Sequence, residues 1–188
     1  MRAPDGRPGV LLDRDGVLDE DTGYVGSPKD LRLIPGAGRA IARFHEAGIM
    51  VAVVTNQAGV ARGFFEEEDV IRTNEALADL LTADGDAPDA FYFCPHHVEG
   101  QVSAYAIECA CRKPKTGMVE DAIRDLSLDR SRTVMVGDSE KDIECGRAAR
   151  VTTVAVGSAA DDLGADHSAA TLAEAAPWIL ARLEADRT

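Results

Sequence analysis

The sequence predicts an α/β fold, a doubly wound parallel sheet with helices on both faces. Two observations predict it: five short apolar runs along the chain, and amphipathic patterns of helical period between them. A third locates the chemistry. Asp13, Thr55, Cys94 and Asp138 each stand just past the C-terminal end of one of those runs, and open parallel sheets bind ligands along that edge.

Taken in order, Val10 to Leu12 reads as the first buried strand. Ala37, Ala40, Ile41 and Phe44 then recur at helical spacing and stop at Gly48. Val51 to Val54 is the second strand. Val70, Ile71, Asn74, Leu77, Ala78 and Leu81 form the next helical face, closed by the DGD turn at 84–86. Phe91 to Phe93, Thr133 to Val136 and Val151 to Val156 are the remaining strands, with a helix after Asp138 on which Cys145 reads as a small core residue. A last helix, Thr171 to Leu183, carries Leu172, Trp178, Ile179 and Leu180, with Trp178 read as core. Pro177 predicts a kink or break in it. The stretch from Pro95 to Thr116 lacks periodicity, so it reads as a loop inserted in one domain spanning 1–188, not as a second domain.

Composition narrows the function. Apolar content of 45% and charged content of 28% are ordinary for a globular protein, and no segment approaches the roughly 20 apolar residues of a membrane span. The N-terminal MRAPDGRPG lacks the apolar stretch of a signal peptide, which predicts a cytoplasmic protein. A net charge of −13 argues against a nucleic-acid partner, whose phosphates need a basic face. An anionic small molecule is compatible with it. Surface charges are damped beyond about 8 Å, whereas a lysine at about 4 Å is worth on the order of 4 kcal/mol. Three of the four cysteines fall between Cys94 and Cys111, which in a reducing compartment favours a metal over disulfides.

The run GVLLDRDGVLDED at 9–21 ends in two carboxylates flanking an arginine. In extended chain Asp13 and Asp15 face a common ligand while Arg14 points elsewhere, and Gly16 permits a sharp turn. A calcium loop needs an acidic ligand at its twelfth position, where Tyr24 stands. The remaining readings are a solvated turn and a catalytic pair. In the second, Asp13 attacks phosphorus to form an aspartyl phosphate, and Asp15 protonates the leaving oxygen and then activates water.

DRDGV at 13–17, TNQAGVARG at 55–63, CRKPKTGM at 111–118 and VGDSEKD at 136–142 resemble, in this order, the four motifs of the haloacid dehalogenase (HAD) superfamily of phosphohydrolases. With CPHH at 94–97 and ECAC at 108–111, the chain resembles the small capless branch that holds heptose bisphosphate and histidinol phosphatases. The resemblance implies a Rossmann-like, HAD-like sheet of order 3-2-1-4-5, without a cap and with a zinc loop at about 94–111. It implies Asp13 as nucleophile, Asp15 as general acid and base, and Thr55 and Lys113 as groups that meet the phosphoryl oxygens. It places Mg²⁺ on Asp13, Asp15 (through its carbonyl) and Asp138. Substrate contacts would come from Arg112, from Asn56 and Gln57 in the TNQAG turn, and from the loop of Asp21, Thr22, Gly23 and Tyr24. Heptose-type members often carry lysine directly after the fourth-motif aspartate; here Ser139 stands there, with Lys141 two positions on.

Cys94-x-His96 and Cys109-x-Cys111 supply three sulfurs and one imidazole, a closed tetrahedral set of the structural type for Zn²⁺. The family pattern matches His96, leaving His97 to solvent or a carboxylate. Such a site contributes roughly 10 to 16 kcal/mol of ordering to a loop that runs straight into Arg112 and Lys113. The function that the resemblance implies is Mg²⁺-dependent hydrolysis of a phosphomonoester, which a capless member can carry out as a monomer. The 7-phosphate of D-glycero-D-manno-heptose 1,7-bisphosphate is the first-choice target and the amino alcohol histidinol phosphate the runner-up. A non-catalytic zinc-binding interaction module is the reading from another class, and the acidic surface disfavours a polynucleotide phosphatase.

Overall fold

The computed structural model describes residues 6–185, so part of the N-terminal run read above lies outside the described residues. Strands β1 (Arg7–Leu12), β2 (Met50–Asn56), β3 (Ala90–Cys94), β4 (Leu128–Gly137), β5 (Thr152–Val156) and β6 (His167–Ala169) form one sheet. Its order is β3-β2-β1-β4-β5-β6 and every pairing is parallel. The helices are α1 (Ala37–Glu46), α2 (Glu67–Asp84), α3 (Gly117–Asp125), α4 (Glu140–Ala148) and α5 (Leu172–Ala185). The predicted strand order holds and is extended by β6.

Strand residues alternate between two buried faces. Val10, Leu12, Val51, Val53, Val134, Val136, Val154 and Val156 pack with Ile41 and Phe44 of α1, Leu77 and Leu81 of α2, and Leu172 and Ile179 of α5. Leu11, Ala52, Val54 and Met135 point the other way, onto Met118, Val119 and Ala122 of α3 and Cys145 of α4. Burial on both faces is why these strands read as continuous apolar runs. The chain winds outward from β1 through β2 to β3 and returns to β4 on the other side of β1. The switch point therefore lies between β1 and β4, where Asp13 N donates to Val136 O at 2.9 Å.

Three details depart from expectation. Thr55 and Cys94 are the last residues but one and the last of their strands, not the residues after them. Helix α3, with Met118, Val119 and Ala122 as its short apolar face, is not among the predicted helices; it begins directly after the aperiodic stretch. Helix α5 runs through Pro177. The ring lies on the exposed face, where water can satisfy the Ala173 carbonyl that loses its partner. Trp178 is partly buried against the core and stacks on His167, ring centroids 4.5 Å apart.

Candidate active site

Strand β1 delivers Asp13 to the switch point, and the chain then turns sharply. The backbone N–H groups of Val17 and Leu18 converge on the Arg14 carbonyl, and Gly16 adopts φ +81°. A Cβ on Gly16 would lie 2.0 Å from Asp138 Oδ2, so glycine here serves both the turn and the close approach of the fourth-motif carboxylate. Carboxylate oxygens of Asp13, Asp138 and Asp142 all lie within 4.8 Å of one another.

Lys113 Nζ reaches into this cluster, 2.9 Å from Asp13 Oδ1 and 2.6 Å from Asp142 Oδ1. It is itself buried, at 2% exposure, so its charge acts in a poorly screened setting. Asn56 fixes its backbone twice: Nδ2 donates to Lys113 O at 3.1 Å, and Lys113 N donates to Oδ1 at 3.0 Å. Asp142 does two jobs. Its Oδ2 accepts from the N–H and hydroxyl of Ser139, closing a capping box on α4, while Oδ1 holds Lys113.

The electrostatics show what the cluster lacks. Burial pushes Asp13 up to about 8, with Asp142 and Asp15 adding to the rise and Lys113 opposing it. Burial, then Asp142 and Asp21, push Asp138 up to about 6. Lys113 is raised although burial works against its charge, because Asp13 and Asp142 flank it. One ammonium pairs with two of three crowded carboxylates, and an oxygen-rich set of this kind fits a hard divalent cation, which would favour the ionised forms of Asp13 and Asp138.

Asp15 stands beside the cluster. Its Oδ1 accepts from Arg14 Nε at 3.0 Å and Nη2 at 2.9 Å, and its Oδ2 accepts from Gln57 Nε2 at 2.9 Å. Arg14 therefore does not point elsewhere. The chain leaves extended geometry after Leu12, and the alternation of side chains ends with it. Gln57 Nε2 also donates to the hydroxyl of the fully buried Thr55 at 3.0 Å.

A cleft of about 360 Å³ opens above these groups. Its lining holds Asp13, Asp15, Asp138, Asp142 and Lys113, together with His97 and the cations that act on it, Arg62, Arg112 and Lys141, and Asp21, Gly23 and Tyr24. Asn56 and Gln57 reach it too, whereas Thr22 is exposed beside it. Burial, then Arg112 and Arg62, hold His97 below its usual range, as a cationic wall should. Sequence reasoning missed Arg62, His97 and Asp142 as site residues and left Lys141 without a role. Lys141 and Asp142 lie inside the VGDSEKD motif, the signal that could have found them.

On the flank of the cleft, Cys94, His96, Cys109 and Cys111 bring one donor atom each within 4.8 Å of the others. Sulfur separations are 3.0 Å (Cys94 to Cys111), 3.3 Å (Cys109 to Cys111) and 3.5 Å (Cys94 to Cys109). His96 Nδ1 lies 3.4 Å from Cys111 Sγ and 3.7 Å from Cys94 Sγ. A tetrahedral metal with sulfur ligands at about 2.3 Å sets edges near 3.8 Å, so the set is slightly contracted but of the right shape. His96 is the imidazole of the cluster, and His97 faces the cleft. Arg112 Nη1 donates to His96 O at 3.1 Å, joining this loop to the cationic wall.

A family model described as HAD-hydrolase-like matches residues 110–182. The D-glycero-beta-D-manno-heptose-1,7-bisphosphate 7-phosphatase of Rhodopseudomonas palustris is 43% identical over 145 residues, 77% of this chain and 81% of that one. The D-glycero-D-manno-heptose-1,7-bisphosphate 7-phosphatase of Thermosynechococcus vestitus is 40% identical over 191 residues, 94% of this chain and 97% of that one. Among solved structures, the D,D-heptose 1,7-bisphosphate phosphatase of B. bronchiseptica, complexed with magnesium and phosphate, matches with a TM-score of 0.81. It is 31% identical, covering 93% of this chain and 98% of that one. With the four motifs on one sheet edge and relatives of this identity along most of its length, the chain belongs to the HAD-like hydrolases, in the family of the D-glycero-D-manno-heptose-1,7-bisphosphate 7-phosphatases.

Proposed function

We propose that the chain removes the 7-phosphate of D-glycero-D-manno-heptose 1,7-bisphosphate through an aspartyl (acyl) phosphate on Asp13. The observation that carries this is a single cleft lined both by Asp13, Asp15 and Lys113 and by three further cations, Arg62, Arg112 and Lys141, whose charges act on His97. A bisphosphate presents two anionic groups to such a cleft. Asp13 attacks phosphorus; the C7 oxygen leaves with a proton from Asp15; Asp15 then takes a proton from the water that releases phosphate. Lys113, 2.9 Å from the nucleophile, neutralises charge that develops on the transferring group. Thr55, under the TNQAG turn, acts through Gln57 or on the phosphoryl oxygens directly. Asp13, Asp138 and the Asp15 carbonyl, with Asp142 beside them, would hold Mg²⁺, which when bound would supply the positive charge that favours ionised Asp13.

Zn²⁺ on Cys94, His96, Cys109 and Cys111 is structural in this reading: four protein donors leave no open position. It shapes the loop that presents Arg112 and Lys113. Asp21, Thr22, Gly23 and Tyr24 flank the sugar. The same reading makes the chain a cytoplasmic, monomeric, single-domain enzyme. Among the described residues no helix is long and apolar enough to cross a membrane.

Histidinol phosphate carries an ammonium where the bisphosphate carries a second phosphate, and the cationic wall opposes it. The test is kcat/KM with Mg²⁺ for both heptose anomers and histidinol phosphate, side by side. A heptose preference of about a hundredfold, roughly 2.7 kcal/mol of differential transition-state binding, is expected. The relatives named for the β-anomer favour that form. Equal or better turnover of histidinol phosphate overturns the substrate reading. No Mg²⁺-dependent hydrolysis of any phosphate ester, alongside intact zinc content, would favour the non-catalytic zinc module.

A further inference from the structure

We propose that Arg14 is a positioning residue that locks the Asp15 carboxyl and the substrate loop into one register. The inference rests on the reading of Asp15 as general acid. Arg14 is the largest fully buried side chain of the described residues, at 0% exposure, and its guanidinium has three attachments. Nε and Nη2 both bond Asp15 Oδ1, at 3.0 and 2.9 Å. Nη2 also bonds the carbonyl of Val25, at 2.9 Å, directly after Tyr24 of the loop bordering the cleft. Nη1 bonds Asn74 Oδ1 of α2 at 3.1 Å, which anchors the plane to the scaffold.

A planar fork with fixed donors imposes orientation as well as charge. With Oδ1 pinned by two donors, Oδ2, which among the described residues accepts from Gln57 alone, is the oxygen left for proton transfer to the leaving group. The same plane sets where the loop backbone passes, so substrate contact and acid orientation are built on one side chain. A lysine keeps the charge but loses the fork. Asp19 completes the surroundings: it is fully buried, its nearest oxygen is 4.0 Å from Arg14 Nε, and neither side-chain oxygen has a hydrogen-bond partner. Removing Arg14 alone would therefore strand two acids.

The test compares Arg14→Lys, and the double variant Arg14→Met with Asp19→Asn, against wild type and Asp15→Asn. The substrates are heptose 1,7-bisphosphate and p-nitrophenyl phosphate, and kcat/KM reports only steps through phosphoryl transfer to Asp13. The nitrophenolate departs with little help from an acid; the sugar alkoxide needs one. Misaiming the acid is expected to cost about a hundredfold in kcat/KM on the sugar phosphate and under threefold on the aryl ester, with Arg14→Lys between wild type and the double variant. Equal losses on both substrates in a folded Arg14→Lys would overturn the proposal, since a merely structural role cannot distinguish leaving groups. If Asp15→Asn itself shows no leaving-group dependence, the reading of Asp15 as acid fails, and that outcome is separable from failure of Arg14 alone. Should the double variant not fold, Arg14→Lys and Asn74→Ala, which frees the anchor of the plane, carry the comparison.

Discussion

Replacing Gly16 by alanine probes the metal cradle through backbone geometry and one steric contact, without substituting an acidic residue. Two costs can be worked out. At φ +81° an alanine meets the left-handed penalty of roughly 1 to 2 kcal/mol. Its Cβ would also stand 2.0 Å from Asp138 Oδ2 and 2.5 Å from Asp138 Cγ, so the carboxylate must retreat by about 1.5 Å to reach ordinary contact. Mg²⁺ tolerates little departure from oxygen ligands at about 2.0 to 2.1 Å, so a displaced anionic ligand is expected to cost about a hundredfold in affinity, near 2.7 kcal/mol. Gly16→Ala should lower urea stability by roughly 1 to 2 kcal/mol without metal and weaken Mg²⁺ binding, followed by calorimetry, about a hundredfold. Unchanged Mg²⁺ affinity in a folded Gly16→Ala protein would refute the placement of Asp138 in the metal set.

Proton competition gives a second expectation. Asp13 is pushed up to about 8 and Asp138 to about 6, so apparent Mg²⁺ affinity should rise between pH 6 and 8, about tenfold per unit for each proton displaced. The sign for stability is the reverse. These acids hold protons in the metal-free fold that the unfolded chain has released, so metal-free stability should fall as pH rises from about 4 to 8; melts with and without Mg²⁺ across that range check both. For the cysteine cluster, elemental analysis should find one zinc per chain, and Cys111→Ser should lower Tm and cut kcat/KM at least tenfold by loosening Arg112 and Lys113. Phe64→Ala should raise KM for the bisphosphate about two- to threefold at constant kcat. The edge contact of Phe64 with Tyr24, centroids 4.7 Å apart, helps hold the loop, yet both rings are more than half exposed, which keeps its contribution near 0.5 kcal/mol.

What was legible in the chain is what is local in it. Apolar runs and helical periods gave the doubly wound sheet, and once the strand order follows from the motifs, Asp13 and Asp138 must meet. The cysteine pairs announced their cluster by spacing alone. What was illegible depends on distant partners. Asp142 reads as an ordinary helix-start acid because that is one of its jobs; its grip on Lys113 comes from a loop on the far side of the zinc cluster. Arg14 looked like the outward residue of an alternating strand, and only the turn at Gly16 and the arrival of Asn74 and Val25 reveal otherwise. Arg62, His97 and Lys141 come from three separate segments that converge on one wall, and no single spacing encodes that convergence. Helix α3 was hidden by its length, since nine residues with three buried positions barely establish a period.

The most direct test is to identify where phosphate is carried during turnover. Enzyme mixed with heptose bisphosphate and Mg²⁺, quenched in acid within one turnover and reduced with borohydride, should yield homoserine at position 13 in the peptide holding DRDGV, and Asp13→Asn should yield none. Phosphate on another side chain, or full single-turnover release of phosphate with Asp13 never reduced, would contradict the assignment of Asp13 as the nucleophile.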